Sequence, residues 1–184
     1  MLRSQCRNNV GAAATHCGAL VEYLPRMNSL ARVATLGAIA GMRSMSAPAF
    51  LANHIRREGG DTQAVSLLRL AGTPGVARLV SLAAVGELVF DKLPIVPSRM
   101  DLGPFAGRVA VGAVCGALYR RAHDESVTSG AVVGAVAAAV AAFSLWALRR
   151  AVVSRGYLPD RVAGAVEDAL VIALGRAIVL PVRR

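Results

Sequence analysis

Glu87 and Asp91 stand four positions apart in Gly86-Glu-Leu-Val-Phe-Asp-Lys-Leu-Pro94, at the close of an apolar stretch that also carries Lys92, the chain's one lysine. Helical spacing puts both carboxylates on one face, about 6 Å apart at the β-carbons, where like charges repel. In a low-dielectric setting they need a proton, a bound cation or a basic partner. Glu167 and Asp168 form a second acidic pair inside another apolar segment. Arg43, followed by Ser44 and Ser46, is the expected counter-charge, because a guanidinium stays protonated and can engage two carboxylate oxygens. Arg108 competes for the same role. This set of Arg43, Ser44, Ser46, Glu87, Asp91, Lys92, Glu167 and Asp168 reads as an ion or solute site, or as a static ion-pair network.

The elements that would hold these residues are helices suited to lipid. Hydrophobic residues make up 55% of the 184, charged residues 17%, and the mean hydropathy is +0.51. Ser126 to Leu148 runs 23 residues without a charge, and about 20 apolar residues cross a ~30 Å hydrocarbon core. A buried helix of a soluble bundle is the competing reading, although such a helix normally keeps a polar stripe. The composition therefore predicts an all-α, polytopic membrane bundle of about five spans in the cytoplasmic membrane.

The first span begins near Asn28 or Ser29 and is expected to break around Ala47, ahead of Pro48, before resuming to His54. Residues 61–71 suit a short interfacial helix. Thr73-Pro74 opens the second span with a cap and a proline at the first helical position. Leu102 to Tyr119 forms the third, the uncharged run the fourth, and Pro159 to Leu180 the fifth. At about 1.5 Å per residue, Glu87 lies roughly 8 Å from the end of its span and Glu167 and Asp168 roughly 10 Å from the start of theirs. In a five-span topology those two ends share one side, and Arg43 sits nearer the other.

Residues 1–26 read as a disordered or non-native extension, with Met27 as an alternative start; the single membrane domain spans 27–184. The stretch lacks the apolar core and cleavage site of a secretory signal. A net charge of +10 invites comparison with nucleic-acid binders. The arginines, however, are scattered at segment ends, which suits anionic lipid headgroups better than nucleic acid. Basic residues divide almost evenly between the two sides, so charge bias gives no orientation. Cys6, Cys17 and Cys115 imply neither a disulfide framework nor a metal site, and no cofactor motif occurs. His54 and His123 fall in loops at span ends, and the chain has no catalytic signature.

Four Gly-x-x-x-Gly spacings occur: Gly37 with Gly41, Gly103 with Gly107, Gly112 with Gly116, and Gly130 with Gly134. Each places two glycines on one helix face, where backbones can approach closely in lipid, within one chain or in a homo-oligomer.

Ala40-Gly-Met-Arg-Ser-Met-Ser-Ala-Pro48, the block Gly86 to Arg99 with its Asp-Lys-Leu-Pro core, Gly107 to Gly116 and Val166-Glu-Asp-Ala-Leu170 resemble the signatures of one family. It comprises small, mostly bacterial membrane proteins catalogued as domain of unknown function number forty-one twenty-six. The resemblance covers roughly Ser29 to Leu180 and implies a multi-pass membrane protein, without an activity. From the residues themselves, the expected function is permeation of an ion or small solute through the buried carboxylates and arginine. The alternative is a membrane scaffold or assembly protein whose charged core is structural.

Overall fold

The computed structural model describes residues 28–58, 70–90, 102–154 and 160–179, which hold six α-helices and no strand. They are α1 (Ser29–Met42), α2 (Ser46–Glu58), α3 (Pro74–Phe90), α4 (Leu102–Ala122), α5 (Val127–Ser154) and α6 (Asp160–Val179). The extension 1–26, most of the proposed interfacial helix, Asp91 and Lys92 lie outside the described residues.

Asn28 caps α1, its side-chain oxygen accepting the Ala31 N–H at 2.9 Å. This satisfies one of the amides that a helix start leaves without an internal partner. The far end of α1 comes at Arg43, whose backbone is extended (φ −142°, ψ 110°). Two turn residues later α2 begins at Ser46. Pro48 is therefore the third residue of a new helix, in the first turn, where a missing N–H costs nothing.

The break is a reversal, and this corrects the expectation of one interrupted span. Val33 of α1 lies where a β-carbon on Gly116 would meet its methyl at 2.9 Å, while His54, near the far end of α2, stacks on Tyr119. Gly116 and Tyr119 are neighbours on α4, so α2 has returned to the level at which α1 started. Every described connection then reverses direction. α3 runs antiparallel to α2, with Ser81 at Asn53 and Glu87 at Ser44. α4 and α5 pair antiparallel through Gly112 with Gly134 and Gly116 with Gly130. We call the end holding Ser29, Tyr119 and Glu125 the first end, and the end holding Arg43 the tip end.

Thr73 and Pro74 open α3 as expected, the threonine hydroxyl accepting the Val76 N–H at 3.4 Å. α4 closes in a Schellman arrangement. Glu125 N–H donates to Arg120 O at 2.9 Å, Asp124 N–H to Arg121 O at 3.3 Å, and Asp124 takes the left-handed conformation at φ 55°.

Glycines at four-residue intervals bring α1, α4 and α5 together along one seam. A β-carbon on Gly37 would stand 2.9 Å from that of Ala137, one on Gly41 3.0 Å from Ala142 N, and one on Gly112 2.7 Å from both Ala138 Cβ and Gly134 O. One on Gly130 would meet the Gly116 carbonyl carbon at 2.9 Å. Gly103 and Gly107 differ from expectation: at the opening of α4 they meet nothing within 4 Å. Beside the seam, Leu36, Ile39, Cys115, Tyr119, Val171 and Ile178 form the buried core.

Candidate functional site

The reversal between α1 and α2 presents two kinds of positive group at the tip end. One is the Arg43 guanidinium. The other is the set of amides that precede α2, which have no carbonyl partner inside the helix and carry the positive end of its dipole. Both are met by carboxylates from other helices. Glu87 of α3 accepts the Ser44 N–H through one oxygen at 2.9 Å and the Met45 N–H through the other at 2.8 Å. Arg43 Nη2 pairs with Asp168 Oδ1 of α6. Arg43 is 2% exposed, and the Asp168 side chain is 15% exposed.

The structure thus gathers Arg43, Ser44, Glu87 and Asp168 into one cluster, with Ser46 buried beside them. Ser44 contributes its backbone amide to Glu87. Arg43 reaches Asp168 without spanning the bundle, because the hairpin tip that carries it lies at the level of Glu87 and Asp168. Glu167, one residue before Asp168, takes a different partner: Arg149 of α5, 3.6 Å away. The sequence reading passed over Arg149. Its signal was available in Arg149-Arg150, placed just after the longest uncharged run, where a basic residue caps the apolar surface or pairs inward. Arg108 is also buried, on α4. Among the described residues, no group of three or more His, Cys, Asp and Glu side chains could hold a metal ion.

A second cluster lies at the first end. His54, Tyr119 and His123 stack with ring centroids 5.4 Å (His54 to Tyr119) and 4.4 Å (Tyr119 to His123) apart. His123 Nδ1 lies 2.8 Å from Tyr119 O. Placing His54 in a loop is therefore corrected: it is a helical residue, 2% exposed. The Tyr119-x-x-x-His123 spacing, about one helical turn, was the available clue. Close by, Glu125 bonds both Ser29 and Arg120, the latter at 3.0 Å, tying the start of α1 to the α4–α5 turn.

Chemically the tip cluster is a charged, backbone-rich site inside an apolar bundle. It can hold an anionic group on the amides or release one. Comparison with protein-family models, curated proteins and solved structures returns no match.

Proposed function

We propose that the protein is a multi-pass membrane protein whose α1–α2 hairpin tip forms part of a permeation site for an ion or small solute. Support for the membrane comes first from α5 and α4, the two described helices long and apolar enough to cross a bilayer. The most apolar stretch of α5 has a mean hydropathy of 2.2 yet is only 17% buried; that of α4 has 1.3 and is 28% buried. A core helix of a soluble fold would hide such a surface. Leu79, Leu82 and Val85 of α3, Val132, Val136 and Val140 of α5, and Val166 and Leu170 of α6 are likewise exposed, a distribution that suits lipid on several faces.

The observation that carries the permeation reading is the closure of the hairpin tip by Glu87. α1 and α2 rise about 21 and 20 Å, less than a ~30 Å core, so a hairpin entering from the first end would stop inside it. Glu87, thirteen residues into α3, falls about 20 Å from that same end. Irregular backbone at such a depth is tolerated where it is buried in protein or lines a cavity, and transporter sites are commonly built from interrupted helices and ionisable side chains. A carboxylate resting on the tip amides can be displaced by solute or protonation, which couples its release to passage.

The test is flux in proteoliposomes across a panel of ions and small metabolites. Passage of one solute that drops severalfold in Glu87→Gln supports the role; undiminished flux in that variant removes it. One observation favours a non-transporting scaffold: Glu87, Asp168 and Glu167 each already have a protein partner. On that reading no gradient is dissipated by the wild type, while Glu87→Gln still lowers thermal stability.

A further inference from the structure

We infer that the groove between α2 and α3 binds one anionic phospholipid, its phosphate held between Arg56 and Arg78 near the first end. The inference rests on the membrane reading but is independent of permeation. The groove has a volume of about 450 Å³ and opens to the outside. Arg56, in the last turn of α2, and Arg78, in the second turn of α3, stand on its two banks, and both are exposed. Arg56 makes one long bond, to Asn53 Oδ1 at 3.4 Å. Arg78 makes no hydrogen bond or ion pair among the described residues, so two guanidiniums face one concavity with no described carboxylate on either bank.

Below them the lining changes character in the order a phospholipid changes. Asn53 and Ser81 come next, joined at 3.3 Å, at the level of a glycerol backbone and its esters. Leu82 and Val85 follow, 70% and 57% exposed. From Pro74 to Val85 this profile extends about 16 Å along α3, from a helix start down toward the apolar middle. A polar phosphate seat over a short neutral rung over an exposed aliphatic wall matches a diacyl lipid. A second copy docking through its own α3 or α5 would bring no described exposed acid to the arginine pair.

The experiment is native mass spectrometry of the purified full chain in detergent, titrated with phosphatidylglycerol or phosphatidylcholine carrying identical acyl chains. A basic side chain near an anionic lipid surface contributes roughly a fivefold preference, so two predict on the order of thirtyfold for phosphatidylglycerol. Arg56→Gln with Arg78→Gln should bring the two lipids to parity, and Arg150→Gln, outside the groove, should keep the preference. Leu82→Gln should weaken both lipids alike while keeping their ratio, which separates the chain seat from the phosphate seat. Equal binding of the two lipids by wild type overturns the inference. So does a preference that survives the double variant, displacement of phosphatidylglycerol by equimolar inorganic phosphate, or a dimer that excludes lipid and is lost in Leu82→Gln. A chain that stays monodisperse without detergent instead defeats the membrane reading itself.

Discussion

Each oxygen of Glu87 takes one backbone amide, so replacing the residue by glutamine keeps the shape but turns one acceptor into a donor facing an N–H. Hydrogen bonds to charged groups contribute about 1.5–3 kcal/mol when buried, and Glu87 is half-buried, so Glu87→Gln should cost about 1–2 kcal/mol. The Arg43 and Asp168 pair behaves differently because removing one partner leaves the other charge buried. Arg43→Met or Asp168→Leu alone should cost about 3–5 kcal/mol, whereas the double variant should recover much of that loss. Thermal unfolding in detergent, followed by reaction of buried Cys115 with a thiol dye after Cys6 and Cys17 are replaced by serine, measures all four. Additive losses would mean the pair is not coupled. These identities were legible in the sequence because ionisable residues within apolar segments are few and must meet. Their pairing was not, since Glu167 and Asp168 are adjacent in sequence but point to α5 and to the hairpin tip respectively. A difference of one position turns a helical side chain by about 100°, enough to change its partner.

At the scale of elements, the glycine seam and the hairpin turn decide how closely the helices approach. Gly134 sits where an added β-carbon would stand 3.0 Å from the Gly112 carbonyl carbon and 3.4 Å from Gly116 Cα. Backbone on the facing helix cannot rotate away as a side chain can, so Gly134→Ala must part α4 from α5. Overpacking of this kind typically costs about 1–3 kcal/mol. Gly107→Ala is the matched control, because its β-carbon meets open space and alanine favours the helix by about 0.5–1 kcal/mol. The same Cys115 unfolding assay should rank Gly134→Ala below wild type and Gly107→Ala at or slightly above it. The spacing pattern foretold candidate faces without telling which would find partners: it is local, whereas the partner depends on where each helix enters the bundle. The turn after Arg43 shows the same limit. Proline at position 48 announces an interruption, but a kink and a reversal interrupt a helix equally. What separates them is tertiary: the capping of two tip amides by Glu87 and the return of His54 to Tyr119.

For the molecule as a whole, in the proposed membrane setting, that reversal changes the order in which the chain meets the two sides of the bilayer. A single interrupted first span would carry Asn28 and Arg57 to opposite sides. The hairpin returns them to one side, together with Ser126, since Glu125 bonds Ser29 across the first end, and leaves Ser154 at the tip end after the full length of α5. Cysteines introduced singly at Asn28, Arg57, Ser126 and Ser154, in a chain without native cysteines, can be labelled in sealed vesicles by a membrane-impermeant maleimide. Asn28→Cys forfeits a helix cap at about 1 kcal/mol, a loss too small to undo the bundle. The first three positions should label together from one side and Ser154→Cys only from the other, with the pattern inverting in vesicles of opposite orientation. Asn28→Cys labelling alongside Ser154→Cys would restore the interrupted span and detach the hairpin tip from Glu87 of α3 and Asp168 of α6. Met45→Cys at the hairpin tip completes the series. In the proposed topology a tip that ends about 20 Å from the first end lies within a ~30 Å hydrocarbon core, so this thiol should resist the bulky charged reagent from both sides. It should react with a small permeable thiol reagent only if solute can reach the tip. Resistance to both reagents in Met45→Cys, with normal labelling at the other four positions, would favour the closed structural clasp over the permeation site.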